Sequence, residues 1–179
     1  MTMNRGLRKF VLTVHITFAV SWLGSVASFF ALAVVGVNSR DAQTVRSTYL
    51  AMDLITRFVI FPLSFAPLIT GPILSICTPW GLFRHYWIIA KLTITILSTL
   101  ILLVHIRPIS YLSVQATQGT LSNADHQVQI QMIVASGTAL VALIVATGLG
   151  VYKPKGMTPY GWRKQYEERI LSDIKDPAI

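Results

Sequence analysis

The chain is poor in cysteine and in charge. Its single cysteine, Cys77, excludes an internal disulfide and any metal site built from a cluster of cysteines. Only 12% of the 179 residues are charged, about half the fraction found in soluble domains. Among the charged residues the acidic ones are the minority, with 7 Asp and Glu against 15 Lys and Arg. None lies within the long apolar runs, which argues against a pathway for free ions.

What the chain has in abundance is apolar sequence: 53% of its residues are hydrophobic, and its mean hydropathy is +0.60. A span of about 20 apolar residues crosses the hydrocarbon core of a bilayer, and it must be helical so that its backbone polar groups are satisfied. Four runs qualify. The sequence therefore predicts an all-α, integral membrane four-helix bundle over residues 1–152, with helices at about 10–37, 54–77, 86–106 and 130–152, followed by a basic tail at 153–179.

The distribution of Lys and Arg predicts the orientation of this bundle. Most basic residues lie before the first run, between the second and third, and after the fourth. Since cytoplasmic loops carry the excess of Lys and Arg, both termini are expected in the cytoplasm, with Trp80, Tyr86 and Trp87 in an interfacial belt. The net charge of +8 is therefore a property of membrane topology, and no nucleic-acid partner is expected.

Four ionisable residues stand within or at the edges of the apolar runs: His15, Arg57, Lys91 and His105. Such residues cost about 2.5–3.5 kcal/mol each at the centre of a span on insertion scales, and they usually mark functional sites that face the bundle interior. They are the first candidates for a site.

Depth along the helices groups these residues into two clusters. His15 and Lys91 each lie about five residues into a helix from its cytoplasmic end, so we expect them at the same level. His85 and Arg84 directly precede the third helix at that level. These four residues form the predicted inner cluster.

An outer cluster is predicted at the opposite side. Arg57 lies near the outer start of the second helix, His105 ends the third, and His126 leads into the fourth. Lys91 and His105 are fourteen residues apart on one helix, so the two clusters are expected about 20 Å apart.

Three helices also carry a seam of polar, aromatic or small residues spaced by seven, which places each seam on one helix face. The seams are His15–Trp22–Phe29, Arg57–Ser64–Gly71 and Lys91–Ser98–His105. They are compatible with a flat cofactor, with a narrow polar path, or with ordinary helix packing through small residues. In the cofactor interpretation, Trp22 contacts the same cofactor as His15.

Heme b is the cofactor that this pattern favours. Heme iron accepts axial imidazole, here from His15 and His105, and its carboxylates pair with Arg or Lys near the membrane surface, Arg84 and Arg57 among them. Copper is less favoured, because Cu(I) prefers Cys and Met ligands, and these are scattered. The alternative for each histidine is a hydrogen bond to a neighbouring helix.

Two segments carry a family resemblance. The segment from His15 to Trp22 and Gly24 resembles the first-helix H-x6-W-x-G signature of CopD-like copper-resistance domains and HemJ-type protoporphyrinogen oxidases. The segment Trp87 to Lys91-Leu92, followed by His105, is similar to the third helix of HemJ. The chain also resembles an uncharacterised bacterial family of four-helix predicted integral membrane proteins.

The HemJ resemblance implies a heme b protein of the bacterial cytoplasmic (inner) membrane, with His15 as axial ligand and Lys91 essential. Val104 stands where HemJ commonly has tyrosine before the late histidine, which argues against porphyrinogen oxidation. The CopD resemblance would imply copper handling.

The function expected from these residues is transmembrane electron transfer or heme-linked oxidoreduction. A heme at His15, alone or with a second heme at His105, would exchange electrons with a quinone, with superoxide or with a redox protein. Lys91 or Arg57 would attract an anionic substrate. A copper or small-solute transporter, and a non-catalytic assembly protein, are the alternatives. Four spans are few for a transporter, and a homodimer would make up the number.

Overall fold

The computed structural model describes residues 4–77, 81–121 and 125–175, with side chains up to residue 172. It is all-helical in these ranges. The helices are α1 (Arg5–Asn38), α2 (Ala42–Ile55), a π-helical turn (Thr56–Ile60), α3 (Phe61–Ile76), α4 (Tyr86–Gln118), α5 (His126–Tyr152) and α6 (Pro159–Lys175). We call the end where α1 begins and α5 ends the Arg8 end, and the opposite end the Asp41 end. Trp80, predicted in the aromatic belt, lies outside the described residues.

Four helices are long and apolar enough to cross a membrane, as the sequence predicted, which is compatible with a multi-pass membrane protein. They are α1, the continuous segment Ala42–Ile76, α4 and α5. All four spans are longer than the hydropathy pattern predicted, and the second and third differ most. The second begins at Ala42 instead of Leu54, and the third continues to Gln118 instead of ending at Ile106. At 33 residues, α4 is about 50 Å long, so it extends beyond a hydrocarbon core of about 30 Å.

The early start of α2 has a local cause. Asp41 caps the helix, with its carboxylate accepting from the backbone N–H groups of Gln43 (3.4 Å) and Thr44 (2.9 Å). The hydroxyl of Thr44 also donates to this carboxylate, and these bonds, with the side-chain bond from Thr44 the largest cause, hold the pKa of Asp41 below its usual value. A polar first half with its own cap forms helix where hydropathy alone predicts a loop.

The second span is interrupted by a π-helical turn and by prolines. The turn Thr56–Ile60 joins α2 to α3 without a break in the helix, a geometry that is frequent at functional sites. Pro67 and Pro72 lie inside α3, and each removes one backbone hydrogen bond of that helix. Helix α3 is therefore held by fewer backbone hydrogen bonds than an uninterrupted helix of its length.

Helix α1 is at the centre of the packing and contacts α2, α3 and α5, while α4 closes the bundle against the same three helices. The core between them is apolar. Its most deeply buried members are Ala33, Tyr49, Met52, Leu112 and Met132.

The tail helix α6 is tied to the connection that precedes α4. The backbone N–H of Thr158 donates to the carbonyl of Arg84 (2.9 Å), and its hydroxyl donates to the carbonyl of Phe83 (2.6 Å). Thr158 also caps α6, because its Oγ1 accepts from the N–H of Gly161 (3.0 Å). An isolated bridge between His85 and Met157 extends this contact. The tail is therefore a structural part of the Arg8 end.

Candidate functional site

A cavity of about 190 Å³ lies inside the Arg8 end, and all four membrane-spanning segments contribute to it. His15 from α1 and Lys91 from α4 both line it, as their equal depth in the sequence predicted. Arg8, Leu12 and Lys153, which also line it, are exposed and mark its mouth at this end of the bundle. The cavity thus leads from the bundle surface to a buried imidazole.

His15 is held by α3 in a defined tautomer. Its Nδ1 lies 2.7 Å from Thr70 Oγ1, and that hydroxyl donates its only hydrogen to the carbonyl of Ala66 (2.7 Å). With that hydrogen on the Ala66 carbonyl, both contacts are satisfied when Thr70 accepts from the ring, so we assign the ring proton to Nδ1. In the neutral imidazole, Nε2 is then the free acceptor. It has no hydrogen-bond partner among the described residues, although His15 is only 8% exposed.

The cavity is positively charged. Lys91 is half-buried, and no carboxylate lies within ion-pair distance of it in the described part of the chain. The Nζ atom of Lys91 lies over Gly150, where an added Cβ would be 3.0 Å away, so the absence of a side chain on α5 makes room for the ammonium group. Arg8 and Lys153 add positive charge at the mouth. The arrangement favours an anionic ligand.

The predicted inner cluster is brought together only in part. His85 and Arg84 are not among the described residues that line this cavity. His85 lies in the bridge to Met157, with its ring 6.4 Å from that of Trp87. Arg84 forms an ion pair with Glu168 of α6. Both residues contribute to the contact between the tail and the bundle.

No hydrogen bond or ion pair among the described residues joins the members of the predicted outer cluster. His126 is exposed at the start of α5, and His105 lies on α4. Arg57 turns to α2, where its Nε donates to Asp53 Oδ1 (3.0 Å), and to α4, where its Nη2 donates to Ser110 Oγ (2.8 Å). The hydropathy pattern predicted Asp53 to lie outside the spans, whereas Asp53 lies on the continuous helix Ala42–Ile76. Arg57 therefore has an ion-pair partner, Asp53, within the protein.

Replacing Asp53 by alanine is expected to destabilise the bundle by about 0.5–1.5 kcal/mol, because Arg57 loses its ion-pair partner and Ser110 loses one of its two hydrogen-bond acceptors, keeping only the carbonyl of Ile106. Ser110 Oγ donates to Asp53 Oδ1 (2.8 Å), and the Asp53 side chain is only 18% exposed. The measurement is the temperature of aggregation in detergent. Asp53→Asn is the control, since it keeps an acceptor oxygen. Equal stability of the alanine and wild-type proteins would contradict this contact.

A second cavity, of about 60 Å³, lies further along the bundle and is lined by Trp22 and His105. His105 Nδ1 donates to the carbonyl of Ile101 (2.7 Å), which leaves Nε2 as an acceptor. Trp22 was predicted to contact the same cofactor as His15, but it lies two turns further along α1 and lines this smaller space. Its volume holds a few water molecules and is too small for a heme.

Several residues of the first cavity carry no direct signal in the sequence. Thr70, which orients His15, stood in a proline-rich run with no polar pattern. Gly150 and Arg8 are ordinary residues of a membrane helix and of a basic N-terminus. Only the packing of α3 and α5 against α1 and α4 identifies them.

In the described part of the chain no group of three or more His, Cys, Asp or Glu side chains is placed to hold a metal ion. A single imidazole with a free Nε2 is therefore the available metal ligand of the first cavity.

Comparison with known proteins found no matching family model, no matching curated protein and no matching solved structure. The resemblances to HemJ and CopD remain predictions that rest on the motifs alone.

Proposed function

We propose that the cavity at the Arg8 end binds heme b, which His15 would hold by its iron, and that the protein acts in membrane electron transfer or heme-linked oxidoreduction. The observation that carries this proposal is the state of His15. Its Nδ1–H is bound by Thr70, and its Nε2 is left as a lone pair on a buried cavity. This is how proteins usually prepare a histidine ligand: the second ring nitrogen fixes the tautomer and the orientation.

The donor set fits a heme better than a bare metal ion. The porphyrin supplies four nitrogen ligands to its iron, so one protein imidazole is enough to anchor it. A copper or zinc site would need further protein ligands, and His15 is the one His, Cys, Met, Asp or Glu among the described residues that line this cavity.

The charges fit the carboxylates of the cofactor. Lys91 lies inside the cavity and Arg8 at its mouth, so both can neutralise propionates. The volume of about 190 Å³ is below the about 300–1,000 Å³ of pockets that enclose drug-sized ligands. Binding of a porphyrin therefore requires the cavity to widen, and the proline-interrupted α3 is the wall with the fewest backbone hydrogen bonds to oppose this.

Bound heme would supply one-electron redox chemistry, while the residues of the chain bind, orient and shield it. In this proposal His15 holds the iron, Thr70 keeps Nε2 unprotonated, and Lys91 attracts carboxylate or an anionic substrate. The exchange partner is a quinone, superoxide or a redox protein. The excess of Lys and Arg at the Arg8 end supports the proposal that both termini are cytoplasmic, in a bacterial inner membrane. The second cavity is smaller still, and the described residues that line it include no Lys or Arg to pair with propionates, which supports one heme rather than two.

The test is the visible absorption spectrum of the detergent-purified protein, oxidised and reduced with dithionite, with a pyridine hemochrome count. We expect a Soret band, sharp α and β bands on reduction, and one heme per chain. A colourless protein from cells supplied with a heme precursor would overturn the proposal. Copper without iron in metal analysis would then favour a copper transporter, and no metal would favour an assembly protein.

A further inference from the structure

The second cavity has polar groups without partners on apolar walls. Trp22 is 97% buried, being only 3% exposed, and its indole N–H has no hydrogen-bond partner among the described residues. Ser98 is 7% exposed and likewise has no partner in the described ranges. Both line the cavity, together with His105, whose Nε2 is an acceptor. A buried donor without a partner costs about 1–3 kcal/mol, so the Trp22 N–H favours a ligand in this cavity that can accept from it. Ser98 and His105 can bind the same ligand.

Water is the ligand that this space can take. The volume of about 60 Å³ exceeds the about 10–15 Å³ that one water needs, and a buried water requires two to four polar partners. The indole N–H is a donor, the imidazole nitrogen is an acceptor, and the serine hydroxyl can do both. An organic ring does not fit, since cavities that bind benzene are near 150 Å³.

The linings of the two cavities approach each other along α4. Thr95 lines the first cavity, and Ser98 lines the second. They are three residues apart on one face of the helix, a rise of about 4.5 Å. The hydroxyl of Thr95 donates to the carbonyl of Lys91 (2.9 Å), which leaves its oxygen free to accept from water in the cavity.

We propose that the second cavity is hydrated and that its water is continuous with the first cavity, past Thr95. Water and small ions then reach the level of Trp22 and Ser98, in the middle of the membrane span, from the mouth at Arg8. This path would let protons move between Lys91 and the centre of the bundle. It goes beyond the proposed heme site and does not require a bound cofactor.

The experiment places a thiol at Ser98 and asks whether aqueous Ag⁺ reaches it. In a Cys77→Ser background, the variant Ser98→Cys is reconstituted into lipid nanodiscs and treated with Ag⁺. The unreacted thiol is then counted with a fluorescent maleimide after denaturation. Ag⁺ captures the thiolate, which forms in water and not in hydrocarbon.

Two matched variants bracket the result. Leu97→Cys lies at the same depth, but Leu97 is 52% exposed on the lipid side of α4, so its thiol should stay unreacted. Thr95→Cys faces the first cavity and should react. We expect Ser98→Cys to react at least about tenfold faster than Leu97→Cys, because desolvation withholds the thiolate from the latter.

A Ser98→Cys thiol as unreactive as that of Leu97→Cys, in a protein where Thr95→Cys reacts, would overturn the proposal. If Ser98→Cys fails to fold as judged by gel filtration, Ser136→Cys, on α5 and lining the same cavity, takes its place with the same two expected outcomes. The readout is thiol chemistry, so it is independent of whether the protein is coloured.

Discussion

Replacing His15 by alanine is expected to abolish the reduced α and β bands of the purified protein and to leave less than about a tenth of the heme. The iron would lose the one imidazole that the cavity offers. Loss of a residue that only hydrogen-bonds to a ligand lowers metal affinity by about 10- to 100-fold, so loss of the ligand itself should cost at least as much. The measurement is the reduced-minus-oxidised spectrum with a hemochrome count. Helical content and elution volume are measured beside it, because His15 also bonds Thr70.

Two matched variants separate ligation from folding. Thr70→Val keeps the imidazole and removes its acceptor, so heme should bind more weakly and with a shifted reduction potential, yet the bands should remain. His105→Ala should leave the spectrum unchanged, because its cavity is too small for a heme. Added imidazole should restore the bands in His15→Gly. Wild-type spectra in both His15 variants would remove His15 as a ligand.

Replacing Gly161 by alanine is expected to detach the tail helix α6 from the bundle. A Cβ at this position would collide with the carbonyl oxygen of Arg84 and lie 3.1 Å from its carbonyl carbon. Backbone cannot move aside as a flexible side chain can, so we expect a cost of about 1–3 kcal/mol, as in overpacked cores. That corresponds to about 5- to 150-fold more of the detached form, since about 1.4 kcal/mol is tenfold.

The measurement is the rate of trypsin cleavage after Lys155, which follows the population of the open form when reclosing is fast. Gly156→Ala is the control in the same segment, because its Cβ would meet only the Tyr86 ring at 3.6 Å, an ordinary contact. The sign of the effect is informative. In a free helix, Gly→Ala stabilises by about 1 kcal/mol, so a variant cleaved more slowly than wild type would show that the tail does not dock on Arg84.

The number of spans and the common depth of His15 and Lys91 were predictable, because a 20-residue apolar run has one stable form in lipid and the rise per residue is constant. The ends of the helices were not predictable from the sequence. Polar sequence at 42–53 and 107–118 has no hydropathy signal, and it is helical because Asp41 caps α2 and because the two segments pack on each other. The same limit explains why Asp53, the ion-pair partner of Arg57, was assigned to a loop.

The sequence by itself determined that this is a four-span helical membrane protein with basic ends and with ionisable residues where lipid excludes them. Tertiary structure alone decided which of those residues meet. It placed His15 and Lys91 on one cavity, sent Arg57 to Asp53 and Arg84 to the tail, and put Trp22 with His105. The reason is that composition and period fix which residues are buried and at what depth. Which helix faces which depends on the packing of all four, and on single residues such as Thr70 and Gly150 whose importance no local pattern shows.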